Sequence, residues 1–112
     1  MLASENEGWK ELFVLQAGLC QALSDTKRLW IIHELRGGER SVGELAELLG
    51  LKQSNTSQHL AVLRKAGLVV LRKEGSTVYY RLLNPRIAEA CDMVREIIAD
   101  QLRHNQGLTG LI

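Results

Sequence analysis

The chain has 112 residues, a formal net charge of +1 and 46% hydrophobic residues, which suits one domain and is too little for two independent cores. No apolar run approaches the ~20 residues needed to span a bilayer, so no membrane partner is expected. Residues 1–7 are acidic, unlike a secretory signal, and we expect a cytoplasmic location with reduced cysteines. The single domain is predicted over 1–112, with flexible tails at 1–8 and 105–112.

Two helices are predicted in the first part of the chain. Between about Gly8 and Leu23, apolar residues recur at helical spacing, at Leu12, Leu15, Leu19 and Ala22. Ser24 followed by Asp25 predicts an N-cap and a first-turn acid for a second helix. The glycine pair 37–38 is expected to end that helix.

Two shorter helices follow, joined by a tight turn. Ser41 and Glu44 have the spacing of a capping box before the apolar helix 45–49, which Gly50 ends. The next helix is predicted over 52–66, polar at its start and apolar along one side. This pair matches a helix-turn-helix, whose second helix enters the major groove of DNA.

A hairpin and a long helix complete the predicted fold. The stretches 68–71 and 77–80 are rich in β-branched, aliphatic and aromatic residues and flank a glycine-containing turn, which predicts two antiparallel strands. Asn84 and Pro85 are typical of a helix start, and the last helix runs to about His104. The predicted fold is mainly α with a small β-hairpin, a winged helix-turn-helix in the order α-α-α-α-β-β-α.

The second helix of the helix-turn-helix is predicted to read DNA. Asn and Gln pair with adenine, and Ser and Thr reach base edges and phosphates, so short polar side chains at its start suit this role. The predicted contact residues in this helix are Lys52, Gln53, Ser54, Asn55, Thr56, Ser57, Gln58, His59 and Arg64. The alternative interpretation is a solvated polar helix face.

Positive charge is concentrated in the same part of a nearly neutral chain. Between positions 52 and 81 a single acid, Glu74, opposes the cations Lys52, Arg64, Lys65, Arg72, Lys73 and Arg81. Because phosphate neutralisation supplies much of the affinity for DNA, this clustering favours DNA binding over charges that serve solubility. Arg72 and Lys73, just before the hairpin tip, are predicted to contact the flanking backbone or minor groove.

Five segments in order carry a family resemblance: 22–29 (ALSDTKRL), 42–46 (VGELA), 54–63 (SNTSQHLAVL), 66–69 (AGLV) and 75–82 (GSTVYYRL). Together they resemble the ArsR/SmtB family of winged-helix repressors over most of the chain. One small departure is Asp-Thr-Lys-Arg at 25–28, where the family usually has Asp-Pro-Thr-Arg. The resemblance implies a homodimer, formed through the first and last helices, that binds a near-palindromic double-stranded DNA operator and releases it when a small inducer binds.

The resemblance also implies where metal ions would bind, and this chain lacks both ligand sets. Where some family members place thiolates at the start of the third helix, the chain has Ser41, Val42, Gly43 and Glu44. The positions of a second family site fall on Asn84, Arg86, Ile97 and Asp100, of which only the last is a suitable ligand. We therefore predict no metal and no cofactor.

Two cysteines remain as candidates for sensing an inducer. Cys20 and Cys91 lie on the first and last helices, and a dithiol there would respond to an oxidant, a sulfane-sulfur donor or a thiophilic metalloid. Family members that sense persulfides use other positions, which correspond here to His33 and Ala99. The alternative interpretation is that both cysteines fill the core or the dimer seam, because free cysteine is commonly buried.

The sequence has no motif of an enzyme. It lacks a nucleophile elbow, a phosphate-binding loop, a paired-histidine zinc motif and a dinucleotide fingerprint, so we predict no catalytic activity. The competing interpretations are a winged-helix module without a sensor and a module that contacts protein instead of DNA.

Overall fold

The computed structural model describes residues 3–106, with side chains from position 6 to 105. In this range five helices and three strands follow one another as α1 Ala3–Ala22, α2 Thr26–Leu35, β1 Arg40–Ser41, α3 Val42–Leu49, α4 Gln53–Lys65, β2 Val69–Glu74, β3 Thr77–Leu82 and α5 Arg86–Gln106. The strands form one antiparallel sheet in the order β1-β3-β2. Over the same residues, no helix has the length and apolar character needed to cross a membrane.

The predicted hairpin is confirmed, but the structure adds a third strand. β2 and β3 pair from Val69 with Leu82 to Glu74 with Thr77, around a turn at Gly75 whose φ is 60°. β1 pairs with the other edge of β3, and this two-residue strand is an addition to the predicted order of elements. Two residues are too few to show a strand pattern, and the partner of β1 lies far along the chain.

The start of α2 differs by one residue from the prediction. Asp25, not Ser24, is the N-cap, and its carboxylate accepts hydrogen bonds from the backbone N–H of Lys27 at 2.8 Å and of Arg28 at 3.2 Å. The Ser24 hydroxyl instead donates to the carbonyl of Gln21 at 2.6 Å, at the end of α1. Both side chains therefore satisfy helix ends, but of different helices.

The other local signals work as predicted. The Ser41 hydroxyl accepts from the N–H of Glu44, whose carboxylate accepts from the N–H of Ser41, so the capping box of α3 is present. Gly50 ends α3 with a φ of 67°, a left-handed conformation that glycine adopts without strain. Asn84 accepts from the N–H of Arg86 at 3.0 Å and so begins α5.

The structure describes part of the predicted tails as helix. α1 begins at Ala3 and α5 continues to Gln106, so residues 3–8 and 105–106 are helical. A helix that has already formed propagates readily, and one glycine such as Gly8 costs only about 1 kcal/mol relative to alanine. Residues 1–2 and 107–112 of the predicted tails lie outside the described residues.

The hydrophobic core lies between α2, α3, α4 and the inner face of the sheet. Its most buried side chains are Ile31, Ile32, Leu35, Leu45, Leu60, Leu63 and Val69. α1 adds Ala22 near its end and α5 adds Ala88 near its start, and most of the remaining length of both helices lies outside the core. The core thus supports the turn between α3 and α4 and the β2–β3 hairpin, which is called the wing below. In contrast, α1 and α5 expose apolar side chains to solvent.

Candidate nucleic-acid interface

The turn between α3 and α4 determines which face of α4 is exposed. After Gly50 the chain turns sharply, and the N–H of Leu51 donates back to the carbonyl of Ala46 at 2.9 Å. Leu51 packs against the core, and α4 then buries one stripe at helical spacing, formed by Thr56, Leu60 and Leu63. The opposite side of α4 therefore faces away from the protein.

The exposed face of α4 begins with five polar side chains: Gln53, Ser54, Asn55, Ser57 and Gln58. Among the described residues, the side-chain hydrogen bonds of α4 are made by Thr56 and His59, so these five keep their donors and acceptors toward water. Gln53 also lies against α3, because a methyl group added to Gly43 would come within 3.3 Å of Gln53 Nε2. The predicted reading surface is thus exposed and has unused hydrogen-bonding groups.

Thr56 is not part of that surface, and its assignment as a DNA-binding residue was wrong. Its side chain is fully buried, and its hydroxyl donates to the carbonyl of Lys52 at 3.0 Å. The signal was present in the sequence, because Thr56 precedes Leu60 by one helical turn and continues the buried stripe. His59 is half-buried, and its Nδ1 atom lies 3.3 Å from Nη1 of Arg28 on α2.

The first turn of α4 has no side-chain cap. Lys52 occupies the N-cap position and makes no capping hydrogen bond. By contrast, Asp25 caps α2, Ser41 caps α3 and Asn84 caps α5. A helix start carries partial positive charge and unpaired N–H groups, which suit a phosphate. Sequence reasoning missed this feature, although a lysine before the helix signals it, since lysine cannot accept a hydrogen bond.

The cationic cluster of 52–81 lies on the surface, with one member neutralised. Arg72 donates from Nε and Nη2 to the two carboxylate oxygens of Glu39, at 3.0 and 2.7 Å, and from Nη1 to Glu74 at 2.7 Å. Its guanidinium also lies 4.6 Å from the ring centroid of Tyr79. The hydrogen bonds from Arg72 lower the pKa of Glu39, so this carboxylate stays charged.

The rest of this cluster keeps its charge toward solvent. Over the residues that the structure describes, its other members form no ion pair with a carboxylate, and all are exposed: Lys52, Arg64, Lys65, Lys73 and Arg81. Near the hairpin turn, Lys73 therefore has no carboxylate partner in the described part of the chain. Arg72, the other wing residue that the sequence predicted for DNA, is held by two acids.

The two cysteines lie where the sequence placed them, on α1 and α5. Both are free thiols, with Cys20 exposed and Cys91 half-buried against the core. Burial raises the pKa of Cys91, and Asp92 and Cys20 raise it further, while Arg95 opposes the shift. With its pKa raised, Cys91 carries less thiolate than an ordinary cysteine. Within residues 3–106 no group of three or more His, Cys, Asp or Glu is placed to hold a metal ion.

An exposed polar helix behind a tight turn, followed by a two-stranded wing, defines a winged helix-turn-helix DNA-binding domain. The family described as "Bacterial regulatory protein, arsR family" matches residues 25–70. The transcriptional activator HlyU of Vibrio cholerae is 42% identical over 79 residues, which cover 70% of this chain and 73% of HlyU. The biofilm growth-associated repressor of Xylella fastidiosa is 36% identical over 85 residues, 76% of this chain and 75% of the repressor.

A solved structure extends the similarity to most of the chain. It is the homodimeric winged helix-turn-helix DNA-binding domain of a possible ArsR-family regulator from Mycobacterium bovis. The two structures agree with a TM-score of 0.81 at 30% identity, over 92% of this chain and 95% of that one. The protein belongs to the ArsR family, whose members are DNA-binding transcription regulators and not enzymes.

Proposed function

We propose that this protein is a transcriptional repressor that binds a near-palindromic operator as a homodimer and releases it when an inducer acts. The observation that carries the proposal is the exposed polar face of α4, which starts at an uncapped helix end. Exposed cations accompany it on α4 and the hairpin, and most of these have no carboxylate partner among the described residues. Base edges are read by such amides and hydroxyls, while phosphates are neutralised by lysine, arginine and helix N–H groups.

The apolar faces of α1 and α5 support the homodimer. Ten large side chains on these helices are 40–71% exposed: Trp9, Leu12, Phe13, Val14, Leu15, Met93, Val94, Ile97, Ile98 and Leu102. Large apolar side chains exposed in this number mark an interaction site, and a second copy offers the same side chains under two-fold symmetry. The two copies of α4 would then enter major grooves one helical turn apart on the same face of the DNA, which requires a near-palindromic site.

The direction of regulation follows from position on the promoter. A dimer that covers promoter DNA would exclude polymerase. The Xylella relative is named a repressor, whereas HlyU is named an activator. In a purified transcription reaction on its own upstream region, the protein should lower transcript yield in proportion to operator occupancy. A rise in yield at full occupancy would overturn the repressor assignment without affecting DNA binding.

DNA binding itself is tested by fluorescence anisotropy on the upstream region, with a scrambled duplex as the control. Affinity should fall steeply, by roughly 10³-fold or more, between ~50 and ~200 mM salt for a protein that makes several phosphate contacts. Absence of binding in low salt, or an affinity for DNA that does not change with salt concentration, would favour a module that contacts protein.

The dimer is tested by placing a charge in the apolar face of α5. Ile97→Glu should shift the mass measured by analytical ultracentrifugation toward that of a monomer, because a carboxylate cannot be buried there without a partner. Glu89→Gln, on the same helix but at a polar position, is the matched control and should leave the mass unchanged. A full dimer mass for Ile97→Glu would exclude α5 from the interface.

For the inducer we propose a thiol-directed signal at Cys20 and Cys91, supported by their placement on the two helices assigned to the dimer. With peroxide, the two thiols would lose two protons and two electrons to form a disulfide, and the peroxide would be reduced to water. Polysulfide and arsenite are the other probes. Cys20→Ser and Cys91→Ser should each abolish release of the operator by one of these agents, and unchanged release in both variants would leave the cysteines a packing role.

A further inference from the structure

One side chain on α2 joins the end of α1 to the DNA-reading helix. Arg28 Nε donates to the carbonyl of Ala22, in the last turn of α1, at 2.6 Å. The Nη1 atom of the same guanidinium lies 3.3 Å from Nδ1 of His59 on α4. α1 is the helix assigned above to the dimer, so Arg28 lies between the dimer element and the reading element.

The chemistry of the pair specifies the state of the imidazole. A guanidinium only donates hydrogen bonds and keeps its proton, so Nδ1 of His59 must be the acceptor. The ring is then neutral and carries its hydrogen on Nε2. The acid that faces both groups is Asp25, whose pKa is lowered chiefly by its hydrogen bond from the Arg28 N–H. The carboxylate of Asp25 caps α2. The guanidinium of Arg28 contacts the Ala22 carbonyl and Nδ1 of His59 instead.

We infer that Arg28 is a positioning residue for the reading helix: it fixes the orientation of α4 relative to α1 through Ala22 and the Nε2–H tautomer of His59. This inference rests on the proposed dimer, because the angle between α1 and α4 then sets the distance between the two copies of α4. That distance selects the spacing of the operator half-sites.

The first test needs no DNA. Two-bond ¹H–¹⁵N spectra of the wild-type protein at mildly alkaline pH should show His59 as a single Nε2–H tautomer, and Arg28→Gln should give a mixture of tautomers. Lys27→Gln removes the same charge from a neighbouring exposed position and should leave the His59 pattern unchanged. A tautomer mixture in the wild type, or an unaltered pattern in Arg28→Gln, would overturn the assignment of the pair.

The second test measures affinity for the operator and for two duplexes whose half-sites are moved apart or together by one base pair. Arg28→Gln should bind the original spacing roughly 10- to 150-fold more weakly, the range that one hydrogen bond to a charged group contributes. It should also lose less affinity than the wild type when the spacing changes, because α4 is no longer held against α1. Equal spacing penalties in the wild type and Arg28→Gln would refute the positioning role.

Two variants of His59 separate this role from a general loss of folding. His59→Asn places an acceptor oxygen close to the position of Nδ1 and should keep most of the spacing preference, whereas His59→Leu should lose it. In a double-mutant cycle, Arg28→Gln and His59→Leu should be non-additive in operator affinity. Additive losses would show that the two residues act separately, and failure of the wild type to bind any duplex would instead count against the proposed function.

Discussion

The guanidinium of Arg72 on β2 binds both carboxylate oxygens of Glu39, the residue that precedes β1. This bidentate pair ties the wing to the connection between α2 and α3. It also places two acids, Glu39 and Glu74, next to the cation that the sequence had assigned to DNA. In the free protein Arg72 is therefore already engaged by carboxylates.

Neutralising Glu39 is expected to strengthen binding to DNA. In Glu39→Gln the wing loses one repulsive charge and Arg72 is released toward phosphate, so affinity for any duplex should rise a few-fold in low salt and the salt slope should steepen by about one. Anisotropy over a salt series measures both. Glu89→Gln on α5 makes the same charge change away from the wing and should have little effect. A weaker complex with Glu39→Gln would mean that the pair chiefly holds the wing in place.

Lys73 is expected to be the main phosphate contact of the wing. Lys73→Ala should lower affinity for the operator and for an unrelated duplex by the same factor, and should reduce the salt slope by about one, because a lysine at phosphate carries no sequence information. Lys10→Ala on α1 is the control for loss of a positive charge. A selective loss of operator binding would instead indicate that Lys73 reaches a base.

Asn55 and Gln58 are expected to carry sequence discrimination. An amide that contacts adenine in two places discriminates against the wrong base by about 1–3 kcal/mol, so replacement of either residue by alanine should flatten the preference at one position of each half-site. Competition binding with single-base variants of the operator measures this. If both variants lose affinity equally for every duplex, the two residues serve only as backbone contacts.

Thr56 is expected to affect stability and not recognition. Thr56→Val keeps the side-chain shape but removes the hydroxyl that donates to the Lys52 carbonyl, which should lower the free energy of unfolding by about 1 kcal/mol in urea titrations. Sequence preference should remain that of the wild type, because the side chain is fully buried. Altered base preference would show that Thr56 becomes exposed in the complex.

Asp25 is expected to stabilise the fold in a pH-dependent way. The hydrogen bond from the Arg28 N–H, with that from Lys27, lowers its pKa in the folded state below the usual value of 3.8. Because folding depresses this pKa, the stabilisation is fully present above the unfolded-state pKa and is lost as pH falls through the folded-state pKa. Asp25→Ala should cost about 1 kcal/mol at neutral pH and much less in acid, as followed by urea unfolding across the pH range. Asp25→Asn keeps an uncharged cap and should cost less than Asp25→Ala at neutral pH, and a cost of Asp25→Ala that ignores pH would contradict the capping role.

The helix-turn-helix and its wing were predictable because their signals are local. The capping box of Ser41 and Glu44, the left-handed turn at Gly50 and the cap at Asn84 each depend on residues within one helical turn. The exposed face of α4 followed from the same reasoning, and the position of Thr56 in the buried stripe was available from its spacing before Leu60. Such features need only backbone geometry and the period of the helix, which neighbouring residues specify.

Features that join distant segments were beyond the reach of sequence patterns. β1 exists because Arg40 and Ser41 meet the outer edge of β3, and the engagement of Arg72 depends on Glu39, which is far from it in sequence. The bridge from Ala22 through Arg28 to His59 likewise requires three helices to pack at one point. Residue types show which side chains are able to donate or accept, but which of them meet depends on how the helices and the sheet close around a shared core, and that is a property of the whole packed chain.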